Sequence, residues 1–295
     1  MNYFDLHCDT VIEAYSGKLN TQITPKKAAG FENYSQIFAI WMNDSISPGD
    51  AFLKAKAVAD YYFEYIKAFK NAHFRPFLAL ENGISLGDDL QSVEYWKSKG
   101  VCAVTLTWNG ANSLGFGSSF QGGAGLTQFG REAFKELQNA GILVDVSHLN
   151  ERGFYDCIEL AKSPLIATHS NCFSLCPHRR NLKDEQIKEL FALGGVMGIC
   201  FYPDFLGKAD TFELIYEHIY HALELGGENR ICFGSDFDGA KMSKELNSLE
   251  KAESLYTLLS KKGFYDELLA KIFYKNGDWV NIRFSGTEPI LRIFV

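Results

Sequence analysis

Eight short apolar runs, each followed by a longer stretch or connection, constrain this chain more than any other feature. The runs fall at residues 3–6, 36–42, 75–80, 101–107, 142–146, 164–167, 196–201 and 230–233. The clearest amphipathic segments lie between them, at 48–72, 88–98, 127–140, 151–161, 183–193 and 209–225. Runs without polar alternation are buried on both faces, and parallel neighbours need a crossover helix between them, so the pattern predicts a parallel sheet. Eight such units closing on themselves make an α/β fold of the (β/α)8 TIM-barrel type. An open doubly wound sheet is the runner-up, but no Gly-x-Gly-x-x-Gly follows a strand to supply its nucleotide-binding turn. Gly100, Gly141, Gly194, Gly226 and Gly227 stand where helices should stop and strands begin.

The length of 295 residues, 46% of them hydrophobic, suffices for one barrel core. A net charge of −7 with no basic stripe argues against nucleic-acid partners and against attraction to an anionic membrane. The start Met1-Asn2-Tyr3-Phe4-Asp5 lacks the basic region and apolar core of a secretory signal, and no apolar stretch is long enough to span a bilayer. The seven cysteines are odd in number and scattered through apolar runs, so they read as reduced thiols, and the expected location is cytoplasmic. Cys172 and Cys176 lack the second Cys/His pair that a structural zinc site needs.

Imidazoles and carboxylates recur where these runs end. His7 and Asp9 close the first, Glu81 the third, His148 the fifth, His169 the sixth, and Asp236 with Asp238 the eighth. In a parallel barrel all these C-terminal ends share one face, where such folds build their sites. Strand alternation puts His7 and Asp9 on the same side. Three imidazoles and four carboxylates suit one or two zinc-like ions, which would activate water and polarise a carbonyl, while Asp236 shuttles a proton to a leaving amine. Hydrolysis of an amide or related bond is therefore expected. His218 and His221, three apart on one predicted helix, read as a surface face.

Seven ordered motifs carry a resemblance: His7-x-Asp9, Ala79-Leu80-Glu81-Asn82-Gly83, Gly125-Leu126-Thr127-Gln128-Phe129-Gly130, Leu143-Val144-Asp145-Val146-Ser147-His148, Ala167-Thr168-His169-Ser170-Asn171, Cys176-Pro177-His178-Arg179-Arg180-Asn181-Leu182 and Gly234-Ser235-Asp236-Phe237-Asp238-Gly239. As a set they resemble the membrane (renal) dipeptidase family of zinc peptidases, peptidase family M19, over residues 1–276. The resemblance implies a TIM barrel holding two Zn2+ ions per chain and cutting dipeptides with a metal-bridging hydroxide. It implies His7 and Asp9 on the first zinc, Glu81 bridging both, and His148 and His169 on the second. It also implies Asp236 as the proton-transfer acid and Arg180 as the anchor for the dipeptide carboxylate, a task that suits a planar two-pronged donor.

Two departures stand out. Where mammalian members carry a His after Thr-Leu-Thr, this chain has Trp108, whose indole donates one hydrogen bond but carries no charge; oxyanion contact and pocket wall are its two readings. Residues 278–295 instead resemble the phosphate-binding loop of phosphoglucomutases and phosphomannomutases, through Arg283-Phe284-Ser285-Gly286-Thr287-Glu288-Pro289. The expected organisation is thus a barrel over 1–276 with an atypical tail over 277–295. A dipeptide is the expected partner, with neither nucleic acid nor membrane, and a homodimer is allowed. Two rivals stay open: a related metallohydrolase acting on another amide, a β-lactam or a lactone, and an inactive metal-loaded barrel.

Overall fold

In the computed structural model, eight parallel strands close into a barrel in the simple order β1 to β8. They are β1 Asn2–Cys8, β2 Asn33–Trp41, β3 Phe74–Glu81, β4 Val101–Thr105, β5 Leu143–Asp145, β6 Ile166–Ser170, β7 Val196–Ile199 and β8 Ile231–Phe233. The structure describes residues 2–273 apart from 71, 72, 121, 210 and 265, together with 284–285 and 288–289. Every predicted run is a strand of this barrel, so the TIM-barrel expectation holds. The tail expectation falls mostly outside the described residues, which include there only a two-residue antiparallel pairing of Phe284–Ser285 with Glu288–Pro289.

Helices follow most strands at the predicted places, including Pro48–Ile66, Gln128–Asn139, Glu151–Leu160, Asp184–Ala192 and Thr211–Glu224. The first stops at Ile66, short of the expected residue 72. Its start is built from Ser47, whose side chain accepts from the Asp50 N–H, with Pro48 in the first turn. Gly141 and Gly194 end helices with φ of 74° and 77°, a backbone region that costs glycine nothing. None of the described helices is long and apolar enough to cross a membrane.

Two apolar layers result. Phe4, Leu6, Ile37, Phe77, Ala79, Ala103, Leu143, Ile166 and Val196 fill the barrel interior. Their strand neighbours, such as Tyr3, Phe38, Leu78, Val104 and Val144, pack outward against the helices. At the C-terminal ends of the strands buried imidazoles and carboxylates take over from this inner layer, and this places the site.

Candidate active site at the C-terminal mouth of the barrel

Strand alternation delivers the first acidic group directly. Along β3 the inward residues are Phe77 and Ala79, and two positions further the same parity aims Glu81 into the mouth. Thr105 and Asp145 follow the same rule after Ala103 and Leu143.

His7 and His169 are aimed differently. Phe4 and Leu6 already point inward, so strict alternation would turn His7 outward. Between Asp5 and Cys8, however, β1 carries one residue more than β2, because Asp5 pairs with Gln36 and Cys8 with Phe38. An extra residue of this kind re-aims the side chains beyond it. Asp5 steadies the irregularity, its Oδ1 accepting from the His7 N–H at 3.1 Å and the Ser235 N–H at 2.9 Å. β6 repeats the device: Ala167 pairs with Met197 and Ser170 with Ile199, and Thr168 and His169 both reach the site.

Two of the remaining groups sit on strained loop starts. His148 and Asp236, just after β5 and β8, have φ of 68° and 62°, and Asn82 has 80°. Left-handed backbone at non-glycine residues costs about 1–3 kcal/mol each and concentrates where side-chain placement matters. A Cβ on Gly239 would overlap the carboxylates of Asp9 and Asp236, so the chain can pass this close only without one.

Glu81 divides the cluster. Its Oε2 lies 3.4 Å from His7 Nε2, and that nitrogen is 3.6 Å from Asp9 Oδ2 and 3.9 Å from Asp236 Oδ1. Its Oε1 lies 2.9 Å from His148 Nε2 and 3.7 Å from His169 Nε2. The two imidazole Nε2 atoms are themselves 2.9 Å apart. Atoms bound to one tetrahedral zinc stand roughly 3.3 Å from each other, so these spacings are of the size a metal site requires. His7, Glu81 and His169, and also His7, Asp9 and Asp236, bring their ligand atoms within 4.8 Å of one another. His7 Nε2 and Asp9 Oδ1 are buried without a hydrogen-bond partner, a state that persists cheaply only where something else satisfies such atoms.

Electrostatics follow from this crowding. Burial pushes the Glu81 carboxyl up, but the nearby His7 charge and the hydrogen bond from His148 outweigh it and hold Glu81 well below the usual carboxylate range. Burial and the Glu81 charge raise Asp9 to about 6. Burial, opposed by His7 and reinforced by Asp9 and Glu81, holds Asp236 well above the ordinary value. Burial and the Arg180 charge lower His148 to about 4. Crowded, buried carboxyls and imidazoles that shift one another in this way mark a candidate functional site.

Around the cluster lies a cavity of about 400 Å³ whose wall includes Trp41, Trp108, Tyr202 and Phe205. Trp108 lines this wall and meets Trp41 edge-on at 5.1 Å. Arg180 is only 4% exposed. It donates one hydrogen bond, to the His169 carbonyl at 3.3 Å, and its Nε is buried with no partner. Among the described residues it forms no salt bridge, so most of its donors are available to an anion.

Two sequence expectations are corrected. Asp238 lies at the cavity edge, but its carboxylate is taken by Thr10 Oγ1 at 2.5 Å, the Gln22 N–H and Lys18 Nζ at 3.1 Å; it ties loops together and leaves six groups in the cluster. His218 is fully buried, and His221 is half-buried against Asp184 at 2.9 Å; neither forms a surface face, because the helix turns that side toward the loop after β6. Sequence reasoning missed Asn109, whose Oδ1 lies 3.1 Å from His148 Nδ1, as well as Asp5, Asp145 and Thr168. The only available signal for the last two was their position within the strand-end motifs.

Comparison with known proteins gives a family match and a shared fold. A model of the membrane dipeptidase family, peptidase family M19, matches residues 54–280. An uncharacterized protein from the pqqA 5′ region of Klebsiella pneumoniae is 36% identical over 208 residues, covering 66% of this chain and 75% of that protein. An uncharacterized dipeptidase of Schizosaccharomyces pombe is 33% identical over 168 residues, covering 54% of this chain and 40% of that protein. Among solved structures, dipeptidase AC, a metallopeptidase of family M19, superposes with a TM-score of 0.86 at 23% identity over 93% of this chain and 96% of its own. A Rhodobacter sphaeroides metallopeptidase liganded with a phosphinate mimic of the dipeptide L-Ala-D-Ala superposes at 0.84 and 22% identity, over 93% of this chain and 97% of its own. At such identities these two likenesses establish the fold alone.

Proposed function

Since this chain belongs to the membrane dipeptidase family, peptidase family M19, we propose that it is a zinc-dependent dipeptidase acting at the mouth just described. One observation carries the reading: Glu81 presents one oxygen to His7 and the other to His148 and His169, all within a single buried cluster. His7, Asp9 and Glu81 Oε2 would hold one ion, and His148, His169 and Glu81 Oε1 the other. A zinc pair held there supplies a water acidic enough to attack near neutral pH, and polarises the scissile carbonyl.

The chain's own residues do the rest. Arg180 receives the free carboxylate of the dipeptide through its open donors, and its buried setting strengthens that pairing. Fixing the carboxylate fixes how far the scissile bond reaches into the cluster, which converts binding into orientation. Asp236, whose Oδ1 lies 3.9 Å from His7 Nε2 at the edge of the cluster, takes a proton from the attacking water and returns it to the departing amine. Trp41, Trp108, Tyr202 and Phe205 wall the cavity with apolar surface and limit the water that competes for these groups. The phosphinate dipeptide mimic held by the Rhodobacter relative is a suitable inhibitor to try here.

Protein stripped of metal and reloaded should carry two zinc equivalents by mass spectrometry and hydrolyse unblocked dipeptides. C-terminally amidated dipeptides should react roughly 10–100-fold more slowly, the worth of about 1.5–3 kcal/mol for hydrogen bonds to a charged group. Equal rates on both would remove Arg180 from its role.

A further inference from the structure

Three observations converge on Thr168. Its hydroxyl lies 2.6 Å from Asp145 Oδ2, 2.8 Å from His169 Nδ1 and 3.4 Å from His7 Nδ1. Asp145 is fully enclosed by donors: its Oδ1 accepts from the Ser147 and Thr168 N–H groups at 2.9 and 3.0 Å, and its Oδ2 accepts from the Thr105 hydroxyl at 2.6 Å. Asp145, Thr168, Thr105, His7 and His169 are all at most 3% exposed, so water does not compete for these bonds.

The proton bookkeeping fixes His169 first. An ionised carboxylate only accepts, so the single Thr168 hydrogen is committed to Asp145. The hydroxyl oxygen can then only accept: from His169 Nδ1 at 2.8 Å, and at 3.4 Å from His7 Nδ1 or from the Ser147 hydroxyl. His169 must carry its proton on Nδ1, and a His7 proton on Nδ1 fits the longer contact. Both rings are thereby left with Nε2 facing Glu81 and the cavity.

We propose that Asp145 and Thr168 form a positioning pair in which one hydroxyl sets the tautomer and ring orientation of His7 and His169 together, one histidine from each side of Glu81. The proposal rests on the metal-binding reading of the cluster only for its consequence, since the proton arrangement is a property of the chain itself. Neither residue reaches the substrate; they act through the two histidines. A single outer partner shared by both halves of the cluster couples them, so losing it weakens both ions at once, by the roughly 10–100-fold typical of outer partners.

The test compares Thr168→Val, Thr168→Ser and Thr105→Val with the wild-type protein. Thr105→Val is the control for packing and stability, because it removes a bond of the same length to the same Asp145 oxygen without touching a histidine. Zinc affinity, read by competition with a chromophoric chelator, should fall roughly 10–100-fold at both sites in Thr168→Val. It should stay within about threefold of wild type in Thr168→Ser and in Thr105→Val. Long-range 1H–15N spectra of 15N-histidine-labelled, metal-free wild-type protein should show His169 protonated at Nδ1, and Thr168→Val should disturb that signal. Zinc affinity unchanged in Thr168→Val, equal losses in Thr168→Val and Thr105→Val, or a His169 proton on Nε2 alone would each overturn the proposal. Wild-type protein that binds no zinc yet shows the Nδ1 proton would defeat the metal reading while upholding the proton arrangement.

Discussion

His218 should make this protein acid-labile in a defined window. The side chain is fully buried on the helix Thr211–Glu224. Its Nδ1 accepts from the Cys172 N–H at 3.1 Å, which leaves Nε2 to donate to the Leu206 carbonyl at 3.0 Å. It therefore pins the base of the loop that carries Arg180, since Asn171 and Phe173 on either side of Cys172 pair with Leu182. Protonating Nδ1 would break the first of these bonds and place a charge where water cannot reach it. Burial accordingly drives the imidazole from 6.5 down to about 4, against the smaller opposing pull of the Leu206 carbonyl. The sign follows from linkage: the unfolded chain takes up a proton near pH 6.5, and the folded chain does not until about 4. The stability contributed by neutral His218 is thus fully present above pH 6.5 and is lost as the pH falls toward 4. The difference amounts to about 3 kcal/mol. Urea unfolding of wild type and His218→Gln, measured side by side from pH 4 to 7.5, isolates this contribution from every other titrating group. The amide can accept and donate as the imidazole does but does not titrate. The wild-type advantage at pH 7 should shrink by about 3 kcal/mol on going to pH 4. A difference between the two proteins that stays level across that range would refute the reasoning.

Two further perturbations bear on the site. Glu81→Gln keeps the shape but removes the charge between the two histidine groups; zinc binding should weaken by more than the roughly 10–100-fold that an outer partner is worth, and turnover should vanish. A variant that retains two tightly held equivalents after dialysis would contradict the bridging position. Gly234→Ala would drive a Cβ into the Thr168 carbonyl. The expected loss is at or above the upper end of the roughly 1–3 kcal/mol typical of overpacking, read by urea unfolding, with poorer zinc retention because β6 carries His169.

The chain's linear pattern determined the barrel and the residue types at its mouth. Strands buried on both faces leave no polar alternation, and eight of them separated by helices have few ways to hide that surface. Glu81 was legible as an inward group because β3 alternates without interruption. Only the tertiary structure decided how His7 and His169 reach the same point. Each depends on one extra residue in its strand, at Asp5–Cys8 and at Ala167–Ser170, and such a register break is a relation between two strands that neither strand's sequence contains. The same holds for Asp238 and His218, whose types are right for a site or a surface. Lys18 and Thr10 claim the first, and the Cys172 amide claims the second, from far away along the chain. A side chain's chemistry is set by its residue type, but its partners are set by distance, and distance is settled only once the barrel closes.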